Sequence, residues 1–157
     1  MSLDGKLTVV TDDPGGLGLG IGREFARNGA TVIITSRNKS NLKKVCNLID
    51  KNCYGFQLNV SKKRSLVKFI VNISKDFNNI DILINNAGFP LEWKIWLKNV
   101  HDISEIELMN ILQVDSIGSF RVTREIIKLM MKKEVELSSI FFQPLPYPDI
   151  FAVLRTL

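Results

Sequence analysis

Short apolar runs alternate along this chain with segments whose apolar residues recur every three or four positions. Leu7–Thr11, Thr31–Thr35, Tyr54–Leu58 and Ile80–Ile84 are such runs, bounded by glycine and polar residues, and they read as β-strands. The segments between them have helical spacing. From about Gly18 to Asn28, residues Ile21, Phe25 and Ala26 share one face, and Gly29 follows as a stop. A second helix opens at Asn38 and carries Leu42, Val45 and Ile49, and a third starts near Ser61 with Leu66, Phe69, Ile70 and Ile73 turned inward. Strand and helix in strict alternation predict βαβ units, hence a parallel sheet with helices on its faces.

The pattern loosens after the fourth strand. Phe89 to Ile103 is irregular and contains Trp93 and Trp96. Ser104-Glu105-Ile106-Glu107 then reads as a capping box, in which hydroxyl and carboxylate satisfy the unpaired amides of a helix start, and a long helix to about Lys133 follows. Val135 to Phe142 holds a candidate fifth strand. Pro144, Pro146 and Pro148 then rule out both helix and central strand, so that stretch is a loop. With no internal repeat, residues 1–157 are expected to form a single domain.

Charge and cysteine usage narrow the function classes. Twenty-one Lys and Arg against sixteen Asp and Glu leave +5. The basic residues are scattered apart from Lys62-Lys63-Arg64 and Lys132-Lys133, which read as helix-end charges, so nucleic acid is not an expected partner. Asp4, Lys6, Asp12 and Asp13 rule out the apolar core of a signal peptide, and nothing approaches the roughly 20 apolar residues of a membrane span, which points to the cytoplasm. Cys46 and Cys53 lack CxxC spacing and His101 is the single histidine, so no metal site is expected and both thiols are read as free.

The candidate chemistry begins at residues 11–20, TDDPGGLGLG, where a strand meets a helix through a glycine-rich turn. Such a turn aims backbone amides and the positive end of a helix dipole at a phosphate. The strict GxGxxG spacing is absent. The stretch instead resembles the TGxxxGxG turn of the short-chain dehydrogenase/reductase family, written here from Thr11 to Gly18 with Gly16, Leu17 and Gly18 at its end. Ser36-Arg37-Asn38 closing the second strand, Asn59-Val60 closing the third and Asn85-Asn86-Ala87-Gly88 closing the fourth resemble further family motifs in the family's order. The resemblance implies a three-layer doubly wound Rossmann fold with a parallel sheet in the order 3-2-1-4-5. It also implies a dinucleotide along those four strand ends, with Asn59 near the adenine and Asn86, Ala87 and Gly88 beside the ribose next to the nicotinamide. Asn85 has a structural alternative, tying adjacent strands together.

Arg37 lies nineteen residues after Gly18, where an NAD-preferring fold puts a carboxylate on the ribose 2′-hydroxyl. A guanidinium there pairs with a 2′-phosphate, so NADP is expected over NAD. Asp12 works against binding, since a carboxylate about 4 Å from a pyrophosphate costs on the order of 1 to 4 kcal/mol depending on screening. An outward or turn-capping orientation would avoid that cost.

By resemblance the activity is hydride transfer between nicotinamide and a small carbonyl or alcohol substrate, with Tyr as proton donor or acceptor, Lys four residues on, a Ser on the substrate oxygen and an Asn in a water relay. Of the four matching positions only one is clearly filled here. Asp115 in Val114-Asp115-Ser116-Ile117-Gly118 takes the Asn place, Ser139 the Ser place with Ser138 as its alternative, and Phe151 and Arg155 the places of Tyr and Lys. In another register Ser139 to Phe142 is itself the fifth strand and both motifs are missing. Family members continue past this point, so the C-terminal part of the family fold is expected to be missing, leaving the last strand at an edge that calls for a partner, with a homo-oligomer as one form of it. Two readings stand: an NADP-dependent oxidoreductase, and a catalytically impaired or truncated module that binds a nucleotide or a protein.

Overall fold

The structure, a computed structural model, describes residues 2–11, 16–89, 94–131, 137–140 and 151–155. The expected alternation is present. β1 (Leu7–Thr11), β2 (Thr31–Ser36), β3 (Cys53–Gln57) and β4 (Ile82–Asn85) alternate with α1 (Gly16–Arg27), α2 (Lys39–Ile49) and α3 (Lys63–Asp76). β1 pairs in parallel with both β2 and β4, and β2 in parallel with β3, giving the order 3-2-1-4.

Successive strand residues point to opposite faces of a sheet, and here each face has its own core. Val9, Ile33 and Leu83 pack with Leu66, Phe69 and Ile73 of α3 and with Val122, Ile126 and Met130, whereas Val10, Val32, Ile34, Ile82 and Ile84 pack with Leu42 and Val45 of α2 and with Ile21 and Phe25 of α1. Burial on both faces explains why β1, β2 and β4 read as continuous apolar runs rather than as alternating ones, whereas the edge strand β3 is only partly covered. Phe69, 1% exposed, meets Phe56 edge-on at 6.1 Å between ring centroids. Gly29 ends α1 as expected, at φ +95°, a conformation in which a side chain is strained.

Three elements differ from the sequence expectation. α1 starts at Gly16, two residues early, and Gly16 itself sits at φ +62°, a left-handed entry to the helix that glycine adopts freely. The irregular stretch holds two short 3-10 turns, Lys94–Leu97 and Val100–Asp102. The long helix is broken at Ser116 into α4 (Glu105–Asp115) and α5 (Ile117–Met130). Close packing accompanies that break: a Cβ on Gly118 would stand 2.9 Å from Val60 Cγ2, so α5 begins against the end of the third βα unit.

The sheet's fifth place is the main correction. β6 (Phe151–Arg155) lies beside β4 and antiparallel to it, and β5 (Leu137–Ile140) is antiparallel to β6 on the outside, so the full order is 3-2-1-4-6-5 rather than 3-2-1-4-5. The cause lies in connection length. Parallel neighbours need a crossover of about a dozen residues or more, usually helical, and residues 141–150 are too few and include three prolines. Trp93 and the loop expected at residues 143–148 fall outside the described residues.

α4 opens on the capping box anticipated from its sequence. Glu107 N donates to Ser104 Oγ at 3.3 Å and Ser104 N donates to Glu107 Oε2 at 2.9 Å, while Lys98 Nζ reaches Glu107 Oε1 at 2.5 Å. The Lys98 ammonium first, and then the Ser104 amide and hydroxyl, hold the Glu107 carboxyl down at about 2. A carboxylate depressed in the folded state stabilises above its ordinary value of 4.5, and that contribution is lost as pH falls toward 2. The urea midpoints of wild type and Glu107→Gln are therefore expected to differ at pH 6, to draw together below pH 4.5 and to converge at about pH 2. A gap that stays constant over that range would contradict this role for Glu107.

Candidate functional site

At the carboxyl end of β1, Thr11 is fully buried and its hydroxyl makes three contacts. Oγ1 donates to Ile84 O at 3.4 Å and accepts from Asn86 N at 3.1 Å and from Ala87 N at 3.3 Å. Its neighbour in register is Asn85, whose Nδ2 donates to Thr123 Oγ1 on α5 at 2.8 Å. Asn85 therefore ties β4 to the helix α5, a structural role different from the strand-to-strand tie named above as its alternative.

The carboxyl ends of β2 and β3 lie alongside. Ser36 Oγ accepts from Asn38 N at 3.0 Å, and Asn38 Oδ1 in turn accepts from Ser40 N at 3.0 Å, which caps α2 and sets Arg37 in the connecting turn. Gln57 Nε2 donates to Arg37 O at 3.0 Å, holding that turn to β3. Asn59 N donates to Ser65 Oγ at 2.9 Å, and Asn59 Oδ1 accepts from Ser61 N at 3.1 Å and Ser61 Oγ at 2.7 Å. The Asn59 amide oxygen is thus taken by Ser61, and the NH2 group is the part of Asn59 left for a ligand.

One cleft opens between these ends, lined by Thr35, Arg37, Leu58, Asn59, Val60, Ser61, Ala87, Gly88 and Val114. Of the anticipated residues, it brings Arg37, Asn59, Val60, Ala87 and Gly88 together. Thr35, Leu58, Ser61 and Val114 had not been singled out as lining it. Val114 is brought in by α4 from far along the chain, and no local pattern marks it. Ser61 was legible only as a helix start, and its carbonyl accepts from Arg121 Nη1 of α5 at 3.3 Å.

Asp115 stands one residue beyond Val114, and its Oδ1 accepts from Phe89 N at 2.6 Å. Its carboxylate therefore anchors the chain directly after Gly88, where an ideal Cβ would meet only Asp115 Oδ1 at 3.9 Å. Gly16, half-exposed Leu17 and buried Gly18 open α1 beside the end of β1, while residues 12–15, including Asp12, lie outside the described residues.

The remaining positions are spread along the outer strands. Phe151 lies opposite Asn85 in register, close to the strand ends that carry the cleft, but Arg155 lies beyond Leu154, which is opposite Ile82 at the amino end of β4. Four residues of strand span about 13 Å, so the pair is not stacked as on a helix. Ser139 sits on the outermost strand, opposite Leu154, which matches the register in which Ser139 belongs to the fifth strand itself.

A dinucleotide fits this donor set on two counts. The Asn86 side chain is 6% exposed and its Oδ1 has no hydrogen-bond partner among the described residues, which leaves a buried acceptor at the strand end. Gly88 keeps open the approach to the backbone beside it. Among the described residues no group of three His, Cys, Asp or Glu could hold a metal ion, and no helix is long and apolar enough to cross a membrane.

Comparison with known proteins agrees with this arrangement. Residues 6–137 match the family model described as short chain dehydrogenase, and the chain belongs to that family. It is 30% identical over 133 residues to the 3-oxoacyl-(acyl-carrier-protein) reductase FabG of Salmonella typhimurium, covering 85% of this chain and 52% of the relative. The reductase of the same name from Aquifex aeolicus is 31% identical over 137 residues, with 85% and 53% covered. Among solved structures, the 3-ketoacyl-(acyl-carrier-protein) reductase of Brucella melitensis complexed with NADH superposes with a TM-score of 0.72 at 28% identity, over 81% of this chain and 50% of that one. The chain thus spans about half the length of the relatives it matches.

Thr11→Val should test how the site is held. It leaves the amides of Asn86 and Ala87 without their acceptor, and an unsatisfied buried donor costs about 1–3 kcal/mol. Urea denaturation should show a loss in that range with faster amide exchange at residues 86 and 87, and Thr11→Ser should restore both. Unchanged exchange in Thr11→Val would show that the hydroxyl does not hold this turn.

Proposed function

We propose that residues 1–157 form one unit that binds a nicotinamide dinucleotide at the carboxyl ends of β1 to β4, takes NADP in preference to NAD, and acts in the cytoplasm. The carrying observation is the cleft itself. It gathers the ends of β2, β3 and β4 around β1, where the strand order reverses, and ligands of doubly wound sheets bind at such switch points. Thr11 and Asp115 hold the chain at residues 86–89 in place, Gly16 and Gly18 open α1 toward a pyrophosphate, and Ser36 orders the turn that presents Arg37.

The cofactor would supply or accept the hydride in an exchange with a carbonyl or alcohol substrate. The part of this chain is to bind and orient it. Arg37, exposed at the cleft, offers a fork of donors to a 2′-phosphate. Asn59 offers its NH2 group to the adenine, Val60 and Val114 line the cleft with apolar surface, and Asn86, Ala87 and Gly88 border the ribose.

A second reading, binding without turnover, is favoured by the placement of Phe151 and Arg155. A phenyl ring has no proton to exchange, and Arg155 lies at the other end of β4 from Asn86. Ser139 and Asp115, the remaining polar side chains at family catalytic positions, fall on the outermost strand and on α4.

Fluorescence titration with NADPH and NADH separates these claims. Arg37→Ala is expected to weaken NADPH binding roughly ten- to hundredfold, the order of a charge-assisted contact of about 1.5–3 kcal/mol, and to leave NADH binding unchanged. An equal effect on both would overturn the NADP preference. Consumption of NADPH with a carbonyl substrate would overturn the second reading.

A further inference from the structure

Cys46 on α2 and Cys53, the first residue of β3, are both free and half-buried, and neither lines the cleft. Backbone bonds fold the segment between them back on itself. Asp50 N donates to Cys46 O at 3.1 Å, Cys53 N donates to Asp50 O at 3.2 Å, and Asn52 N donates to Asp50 Oδ1 at 2.9 Å. Both side chains then pack against the same core cluster of Val32, Ile34, Leu42 and Val45.

Gly55 accounts for how closely α2 lies on β3. A Cβ at that position would stand 2.8 Å from Leu42 Cβ and 3.2 Å from Cys46 Sγ, so any larger residue would push the helix away. Cys53 stands two residues before Gly55 and on the same face of β3, so the Cys46 sulfur that lies over Gly55 lies beside Cys53 as well. The Cys53 side chain draws the Cys46 thiol below its ordinary value, while Cys46 and burial push Cys53 up. The thiolate is the reactive form of cysteine, so Cys46 is the nucleophile of the pair.

We propose that Cys46 and Cys53 are a reversible redox pair, closed to an intramolecular disulfide by exchange with a small-molecule disulfide of the glutathione class. The Cys46 thiolate attacks one sulfur of the oxidant, the oxidant's S–S bond breaks and one thiolate leaves. In the mixed disulfide Cys46 no longer pushes Cys53 up, and the Cys53 proton passes to water. The Cys53 thiolate then attacks the Cys46 sulfur and displaces the second thiolate. Two protein thiols are oxidised, one small disulfide is reduced to two thiols, and the new bond pins α2 to the start of β3. This pair stands apart from the nucleotide reading and does not depend on it.

The test equilibrates the purified chain in buffers of rising oxidised-to-reduced glutathione ratio, quenches with acid, alkylates free thiols and reads intact mass and a non-reducing peptide map. The expected product is a monomer that has lost two hydrogens, carries no glutathione, links the peptides of residues 46 and 53, and melts a few degrees higher than the reduced form. Cys53→Ser should instead accumulate a glutathione adduct at Cys46, and limiting iodoacetamide at neutral pH should label Cys46 several-fold faster than Cys53 in the reduced wild type. A chain shown folded by circular dichroism that keeps both thiols, or yields only glutathione adducts or intermolecular links, would overturn the proposal.

Discussion

β1 carries β2 on one side and β4 on the other, and the second of these pairings is the one on which the architecture depends. It brings together residues more than seventy positions apart, with Leu7 N donating to Asp81 Oδ2 at one end and the Thr11 hydroxyl gathering Ile84, Asn86 and Ala87 at the other. Closing so long a loop carries an entropic cost, and buried apolar contacts on both faces of the sheet offset it. Once β4 is seated, three strand ends open at the same level and the turns that follow them face one cleft. The site is a consequence of the sheet, and the polar atoms in it mostly hold turns.

The break in the long helix serves the same end. Because α4 and α5 meet at Ser116, α4 delivers Val114 to the cleft and Asp115 to the amide of Phe89, while α5 packs Val122, Ile126 and Met130 on the sheet. Gly118 lets α5 start against Val60, so the lining of the cleft and the packing of the helix are set by one close approach. Asp115, which the family resemblance puts at a catalytic position, holds the backbone amide of Phe89.

What was legible in the sequence was what local physics decides. The apolar runs of β1 and β2 are buried on both faces, the inward faces of α1 to α3 match their periodicity, and the box at Ser104 and Glu107 is local in origin. Strand and helix alternation predicted the parallel sheet, the family resemblance implied its 3-2-1-4 order, and the motif residues at strand ends led to Arg37, Asn59, Val60, Ala87 and Gly88. Most of the rest depended on distant partners. The break at Ser116 and the antiparallel place of Phe151–Arg155 beside β4 both arise from tertiary geometry, whereas the occupation of the Asn59 oxygen by Ser61 is a local turn that the motif reading passed over. Four-residue spacing from Phe to Arg suits a helix as well as a strand, and the pairing with β4 and β5 places it in a strand.

The central claim is that a nicotinamide dinucleotide sits where the parallel strands end. Hydrogen exchange of the intact chain with and without saturating NADPH tests it most directly, because it reports location as well as binding. Added protection is predicted in residues 36–40, 58–61 and 85–89, with little change in the β5–β6 pair. Protection elsewhere, or none in a folded chain, would contradict the account.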